Sequence, residues 1–163
     1  MAAENIKRSP LQVRDSNKRI LNVEKHIGIA ISGRLSDGMV VVERARKEAE
    51  SYKNNFGIPI SGQILTERIA NFMHAYTLYG YFRPLGVEIL VASRDRGKNF
   101  LFKIENTGNF KGYFGVTAGK GNQTAKTYLE KADRTKSCQD NMKNVALAIA
   151  AAHEEFKEKT YEF

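Results

Sequence analysis

Residues 20–33 read Ile-Leu-Asn-Val-Glu-Lys-His-Ile-Gly-Ile-Ala-Ile-Ser-Gly, and this stretch decides the fold class. From Ile27 to Ile31, isoleucines at every second position alternate with small residues, which is the period of a strand with one apolar face. A break around residues 24–25 predicts two strands, the first beginning at Ile20. Small residues on the other face of a strand let a second layer approach closely. The stretch therefore predicts strands that belong to a layered sheet.

Two helices are predicted after Gly33, because apolar residues recur there at spacings of three and four. Gly57 is the expected cap of the first helix, Pro59 blocks its continuation, and Ser61 suits the N-cap of the second. The short loop predicts antiparallel neighbours. The predicted inward residues are Val41, Ala45, Ala49, Tyr52 and Phe56, then Leu65, Ile69, Phe72, Met73 and Tyr76.

The second half of the chain repeats this order of strands followed by a helix pair. Three strands separated by turns are predicted over residues 87–92, 100–104 and 113–117. A third helix is predicted over about 122–133. A fourth follows Ser137, which approximates a capping box with Asp140. The predicted inward residues are Ala125, Tyr128, Leu129 and Ala132, then Met142, Val145, Ala146, Ile149 and Phe156.

Strands clustered with paired helices predict an α+β fold in which each helix pair covers an antiparallel sheet. A four-layer αββα sandwich is the simplest packing that buries both helix pairs and both sheets. The length of 163 residues fits one domain. Residues 1–14 are expected to form an irregular N-terminal segment, with a possible short strand near residues 11–13, and the domain is expected to span residues 15–163.

Composition predicts a globular protein of a reducing compartment. Hydrophobic residues make up 42% of the chain, and the one cysteine, Cys138, excludes an internal disulfide. No apolar run is long enough to span a membrane, and residues 1–7 lack the apolar core of a secretory signal. Cytoplasm and nucleus are the expected locations, and no membrane partner is expected.

The net charge of +8 raises the question of a nucleic-acid or acidic partner. Residues 94–136 hold ten lysines and arginines against four acids, a surplus of six spread over several predicted elements. A solvated basic face is the favoured interpretation, and compensation by an acidic protein neighbour is the next. No basic–aromatic motif supports nucleic-acid binding, which stays open as an alternative.

The residues that could carry chemistry do not form a recognisable site. His26, His74 and His153 fall on a strand and two different helices, without ligand spacing for a metal. Cys138 has no nearby histidine to act as a base. The sequence Gly119-Lys120-Gly121 lacks the earlier glycine and the later hydroxyl residue of a phosphate loop. No catalytic residue, metal or cofactor is predicted.

Three stretches carry a resemblance to a known family: residues 16–28, then residues 74–79, then residues 83–87. The pattern Tyr-Thr-x-Tyr followed by Arg-Pro-x-Gly resembles the signature of alpha-type proteasome subunits, which beta-type subunits lack. The resemblance runs from about residue 15 to the end and implies the N-terminal nucleophile hydrolase fold. It marks five residues as structural signature positions: Tyr76, Tyr79, Arg83, Pro84 and Gly86.

The resemblance implies a non-catalytic subunit of the proteasome core particle in ubiquitin-dependent protein degradation. The implied partners are other alpha subunits in a seven-membered ring, beta subunits, and the C-termini of regulatory particles. By position before Arg19, Lys18 matches the family lysine that pairs with an activator's C-terminal carboxylate. An active N-terminal hydrolase of the beta type, which needs a Thr, Ser or Cys exposed by processing, stays open as an alternative.

The sequence departs from the family at its N-terminus. The gating tail, the first helix and two strands of the family pattern are absent, so the expected fold is incomplete there. Missing strands would leave a sheet edge and apolar helix faces open, so we expect the isolated chain to be marginally stable or aggregation-prone.

Overall fold

The computed structural model describes residues 1–5, 9–13, 16–132, 137–152 and 160–162. Its strands are β1 (Ala3–Asn5), β2 (Ile20–Glu24), β3 (Ile27–Gly33), β4 (Val87–Asp95), β5 (Lys98–Ile104), β6 (Phe110–Gly112) and β7 (Thr160–Glu162). Its helices are α1 (Leu35–Phe56), α2 (Gly62–Leu78), α3 (Asn122–Glu130) and α4 (Cys138–Ala152). The backbone divides into two compact units. Leu21–Phe114 form the sheet unit, and Met1–Ile20 with Gly115–Phe163 form the helical unit.

The sheet unit is a five-stranded sheet in the order β2-β3-β4-β5-β6, with α1 and α2 packed against it. The isoleucines of β3 pair in antiparallel register with apolar residues of β4, as Ile29 does with Val91 and Ile31 with Ile89. These side chains and the inward stripes of both helices form one buried core. The alternation in residues 27–31 therefore predicted the strand and its buried face correctly.

The helix ends of this unit follow local sequence signals. Gly57 ends α1 in the left-handed conformation, at φ 72°, and its N–H donates to the carbonyl of Lys53 at 2.8 Å. The hydroxyl of Ser61 accepts from the N–H of Ile64 at 3.4 Å and caps α2. Both predicted caps are confirmed. Phe56 is 60% exposed, so the predicted inward stripe of α1 fades in its last turn.

Strand β4 runs further than predicted, up to a tight hairpin turn that joins it to β5. Asp95 pairs with Lys98 across the two-residue turn Arg96-Gly97, and both turn residues have positive φ, 49° and 82°. This geometry matches the right-handed twist of the flanking strands, so pairing extends to the turn itself. Strand β4 consequently continues beyond the predicted end at residue 92.

Two predicted strands are wrong. Residues 113–117 form no strand, because the turn after β5 closes by Gly108, and pairing resumes at once with Phe110 opposite Ile104. Residues 11–13 also form no strand. The N–H of Gln12 bonds the carbonyl of Ser9 in a turn that leaves Leu11 93% exposed.

Strand β2 lies at one edge of the five-stranded sheet. The guanidinium of Arg46, on α1, donates from Nε and Nη2 to the main-chain carbonyl of Asn22 at 3.1 and 2.9 Å. This contact ties the middle of the edge strand to the helix that covers the sheet.

The helical unit contains the helix pair α3 and α4 and a two-stranded antiparallel sheet of β1 and β7. Ser137 caps α4 by accepting from the N–H of Asp140, while its hydroxyl donates to the Asp140 carboxylate at 2.7 Å. The predicted cap is thus confirmed. The inward prediction holds for Ala125 but is wrong for Met142, which is 45% exposed. Phe156 lies outside the described residues.

Candidate functional site

The Arg-Pro-x-Gly segment is held by a buried carboxylate at the start of α1. Arg83 donates from Nη1 to Oδ2 of Asp37 at 2.7 Å and from Nη2 to Oδ1 at 2.8 Å. The main-chain N–H of Gly86 donates to the same Oδ2 at 2.9 Å. In return, the N–H of Arg34 donates to the carbonyl of Gly86 at 2.9 Å. We call Asp37, Arg83 and Gly86 the latch, because together they join two segments that are distant in sequence.

Charge and hydrogen bonding keep the latch carboxylate ionised. The hydrogen bonds from Arg83 are the main cause that lowers the pKa of Asp37 from 3.8 to about 2. Burial opposes this shift, and the N–H of Gly86 and the charges of Arg83 and Arg34 add to it. Asp37 also lies in the first turn of α1, where the helix dipole favours an anion. The same bonds raise the pKa of Arg83.

Pro84 and Gly86 contribute through their backbones. Pro84 is exposed, and its carbonyl accepts from Nη1 of Arg83 at 3.1 Å. A Cβ at Gly86 would lie 3.7 Å from Oδ2 of Asp37, an ordinary contact. The position that requires glycine is instead Gly33. Its φ is 113°, and a Cβ there would lie 2.5 Å from the carbonyl oxygen of Gly86. Gly33 was expected only to end a strand.

The signature tyrosines Tyr76 and Tyr79 belong to an aromatic cluster in the segment that directly precedes Arg83 of the latch. The ring centroids of Tyr76 and Phe82 lie 4.9 Å apart, those of Tyr79 and Tyr81 lie 5.6 Å apart, and those of Tyr81 and Phe82 lie 4.6 Å apart. Phe72 joins through an edge contact with Tyr76 at 5.2 Å. These distances are typical of favourable aromatic pairs. We call these five residues the aromatic cluster.

Lys18 is exposed and lies two residues before β2, in a stretch without regular secondary structure. It belongs to the helical unit, whereas the latch and the aromatic cluster belong to the sheet unit. Its proposed role in binding a carboxylate stays a prediction.

The other candidate residues have structural contacts. Nε2 of His26 donates to the carbonyl of Ile60 at 2.9 Å, and Nδ1 of His74 donates to that of Thr107 at 3.0 Å. Cys138 is exposed at the first residue of α4, and His153 lies outside the described residues. Within the described ranges, no three His, Cys, Asp or Glu residues converge as metal ligands. No helix in the same ranges is both long and apolar enough to cross a bilayer.

Sequence reasoning missed Asp37, Tyr81 and Phe82. Asp37 belongs to no sequence motif, and the partner of its carboxylate lies 46 residues away along the chain. Its place in the first turn of a predicted helix was the available signal, but this signal does not indicate an ion pair. Tyr81 and Phe82 fall between the two halves of the signature, so their clustering with Tyr76 and Tyr79 depends on the turn that joins the halves.

A comparison with protein-family models matches residues 1–163 to the proteasome family, described as proteasome subunit. The chain belongs to the proteasome subunit family. The predicted α+β class and the N-terminal nucleophile hydrolase fold of this family are therefore confirmed.

Several relatives within this family are named as alpha-type subunits. Proteasome subunit alpha type-3 of Dictyostelium discoideum is 38% identical over 163 residues, which cover 99% of this chain and 66% of the relative. The alpha type-3 subunit of Acanthamoeba castellanii is 39% identical, with 99% and 65% covered. The probable alpha type-7 subunit of Schizosaccharomyces pombe is 38% identical, with 99% and 64% covered. The chain thus spans just under two thirds of the length of these relatives.

Proposed function

We propose that this chain acts as a non-catalytic alpha-type subunit of the proteasome core particle, contributing to ring assembly and to the docking of regulatory particles. The observation that carries the proposal is the latch, in which the signature arginine and glycine bind one carboxylate. That arrangement gives the alpha-type signature a structural purpose, and relatives named as alpha subunits support it. The alternatives of a beta-type hydrolase and of a nucleic-acid binder gain no support from these relatives.

The implied partners are other alpha subunits in a seven-membered ring, beta subunits and the C-termini of regulatory particles. The proposed locations are the cytoplasm and the nucleus. The test is sedimentation of the tagged full chain, expressed in its own cells, with mass spectrometry of the fractions. We expect the chain to migrate with proteasome subunits at the size of the core particle. Migration only as a free chain would contradict the proposal.

The non-catalytic part of the proposal has its own test. The purified chain should show no hydrolysis of fluorogenic peptides above a buffer blank, and N-terminal sequencing should find no processed Thr, Ser or Cys at the first position. Hydrolysis that is lost on acylation of a new N-terminal residue would instead establish the beta-type alternative.

For Lys18, we propose that the ammonium pairs with the C-terminal carboxylate of a regulatory particle. Lys18→Ala should weaken the binding of a peptide that carries an activator C-terminus to particles that contain the chain. Lys25→Ala, an exposed lysine in the turn between β2 and β3, is the matched control. Equal binding by both variants would remove Lys18 from the proposed pocket but would leave the assembly role intact.

A further inference from the structure

The pair Asp37-Gly38 is the one place in the sequence where a glycine follows an aspartate or an asparagine. In such a pair the main-chain nitrogen of the glycine can attack the side-chain carboxyl carbon of the residue before it. Glycine favours this attack because it has no Cβ to hinder the approach and its backbone adapts freely. The proposed function makes no use of this reactivity, so the pair is a candidate site of spontaneous modification.

The fold requires each residue of the pair for a separate reason. The carboxylate of Asp37 accepts the hydrogen bonds of the latch from Arg83 and from the N–H of Gly86. Gly38 lies where α1 packs against β3, and a Cβ there would overlap Cγ2 of Ile31. The latch thus requires the acid and the close packing requires the glycine. A labile pair at this position is therefore a consequence of the structure.

The reaction makes and breaks bonds within these two residues. The nitrogen of Gly38 bonds to Cγ of Asp37, and one carboxylate oxygen leaves as water, with the amide proton and a second proton from solvent. The product is a cyclic succinimide. Water then opens the ring at either of its carbonyl carbons, which restores aspartate or leaves isoaspartate, in which the main chain runs through Cγ. The isoaspartyl chain has the same mass as the original.

The folded structure holds both reacting groups away from this reaction. The N–H of Gly38 donates to the carbonyl of Arg34 at 3.1 Å, so the nitrogen is not available for attack. The two bonds from Arg83, at 2.7 and 2.8 Å, fix the carboxylate and keep it ionised, and an ionised carboxylate is a poor electrophile. Both residues of the pair are buried, which limits access of the water that opens the ring.

We propose that Asp37-Gly38 is a latent isomerisation site that the latch protects, and that a chain whose latch opens converts this aspartate to isoaspartate. The inference goes beyond the proposed function, because it concerns the chemistry of the chain itself. The free carboxylate of isoaspartate is attached directly to Cα, one methylene closer to the backbone, so it cannot meet Arg83 and the N–H of Gly86 as before. The modification therefore records permanently that the first turn of α1 has opened.

The test follows isoaspartate in the purified full chain during incubation at physiological temperature and pH. Trypsin cleaves after Arg34 and Arg44 and releases residues 35–44. The aspartyl and isoaspartyl forms of this peptide have equal mass but differ in chromatographic retention and in fragmentation, so mass spectrometry counts both. A synthetic peptide of residues 35–44 gives the rate without protection.

Substitutions identify the latch as the source of the protection. Arg83→Ala removes the guanidinium that binds Asp37. The matched control is Arg68→Ala, which removes a guanidinium bound at 3.0 Å to Glu48, another carboxylate of α1. Arg83→Lys keeps a charge but loses the paired geometry, and it replaces Arg83→Ala if circular dichroism shows that the alanine variant is unfolded.

We expect the wild-type chain to form isoaspartate at least about tenfold more slowly than the synthetic peptide, because local opening limits its rate. Arg83→Ala should form it about fivefold faster than the wild type, because loss of the charged hydrogen bonds raises the population of the open turn. Arg83→Lys should fall between these two, and Arg68→Ala should match the wild type.

Three results would overturn the inference. Equal rates for the wild-type chain and the peptide would show that the latch gives no protection. Equal acceleration by Arg68→Ala and Arg83→Ala would assign the effect to general loosening of α1. Absence of isoaspartate from both the peptide and the Arg83 variants would remove the site itself. None of these measurements involves assembly into a particle, so their failure and the failure of the proposed function are independent.

Discussion

The sheet unit and the helical unit differ in how much apolar side chain they bury. The continuous core cluster of the described residues runs from Ile27 to Ile104, entirely within the sheet unit. In the described part of the helical unit, the buried hydrophobic residues are Ala125 and Ala148, while Met142 and Leu147 are 45% and 52% exposed. Because burial of large apolar side chains is the main stabilising force, the sheet unit should hold most of the folding free energy.

The largest expected effect comes from opening a cavity in the core of the sheet unit. Ile69→Ala, at a fully buried position of α2, should lower the free energy of unfolding by about 3 kcal/mol through lost burial and an unfilled cavity. Leu147→Ala, in α4, should change it by less than about 0.5 kcal/mol because that side chain is half exposed. Urea unfolding followed by circular dichroism measures both. Equal losses would remove the distinction between the two units.

A smaller effect on the free energy of unfolding is expected from adding a methyl group at Gly38, where α1 packs closely against β3. A Cβ at Gly38 would overlap Cγ2 of Ile31, so Gly38→Ala forces a core side chain to move. We expect a loss of about 2 kcal/mol from overpacking. Gly80→Ala meets nothing within 4 Å and is the matched control. The same unfolding measurement applies, and a stabilised Gly38→Ala would show that the core has room at this point.

Removing the charge of Asp37 should lower the free energy of unfolding by less than either core substitution. Asp37→Asn removes the ion pair with Arg83, whose side chain is 58% exposed, so solvent screens much of the interaction. We expect a loss of about 1 kcal/mol, mainly from weakened hydrogen bonds to the buried group. Asp140→Asn, at the exposed cap of α4, should cost about 0.5 kcal/mol. A larger loss for Asp140→Asn would reverse the comparison between the units.

The pH dependence of the latch follows from the same charge. The pKa of Asp37 is about 2 in the folded chain against an ordinary 3.8, so the unfolded chain binds the proton at higher pH. The contribution of Asp37 is therefore complete well above pH 3.8 and is lost as the pH falls towards 2. Melting temperatures of the wild type and Asp37→Asn should converge over that range. Melting curves that stay parallel from pH 6 to 2.5 would contradict the ion pair.

The sheet unit was predictable because its signals are local and periodic. The alternation at Ile27–Ile31 and the caps at Gly57 and Ser61 each depend on neighbours within one element. The predicted strand at residues 113–117 was wrong because pairing resumes directly after the turn containing Gly108, with Phe110 opposite Ile104, and not at the apolar residues that follow Gly112. The latch was half predictable: the signature residues were visible, but Asp37 is joined to them only by the fold.

The contact between Arg46 and the edge strand has a consequence for how molecules of this chain meet. A strand from another molecule can extend a sheet only by hydrogen bonding to free N–H and carbonyl groups of the edge strand. At Asn22 the carbonyl oxygen already receives two N–H groups from Arg46. An incoming backbone would have to displace a charged donor from α1 before it could bond there, so the rim of this sheet resists intermolecular strand addition at its midpoint.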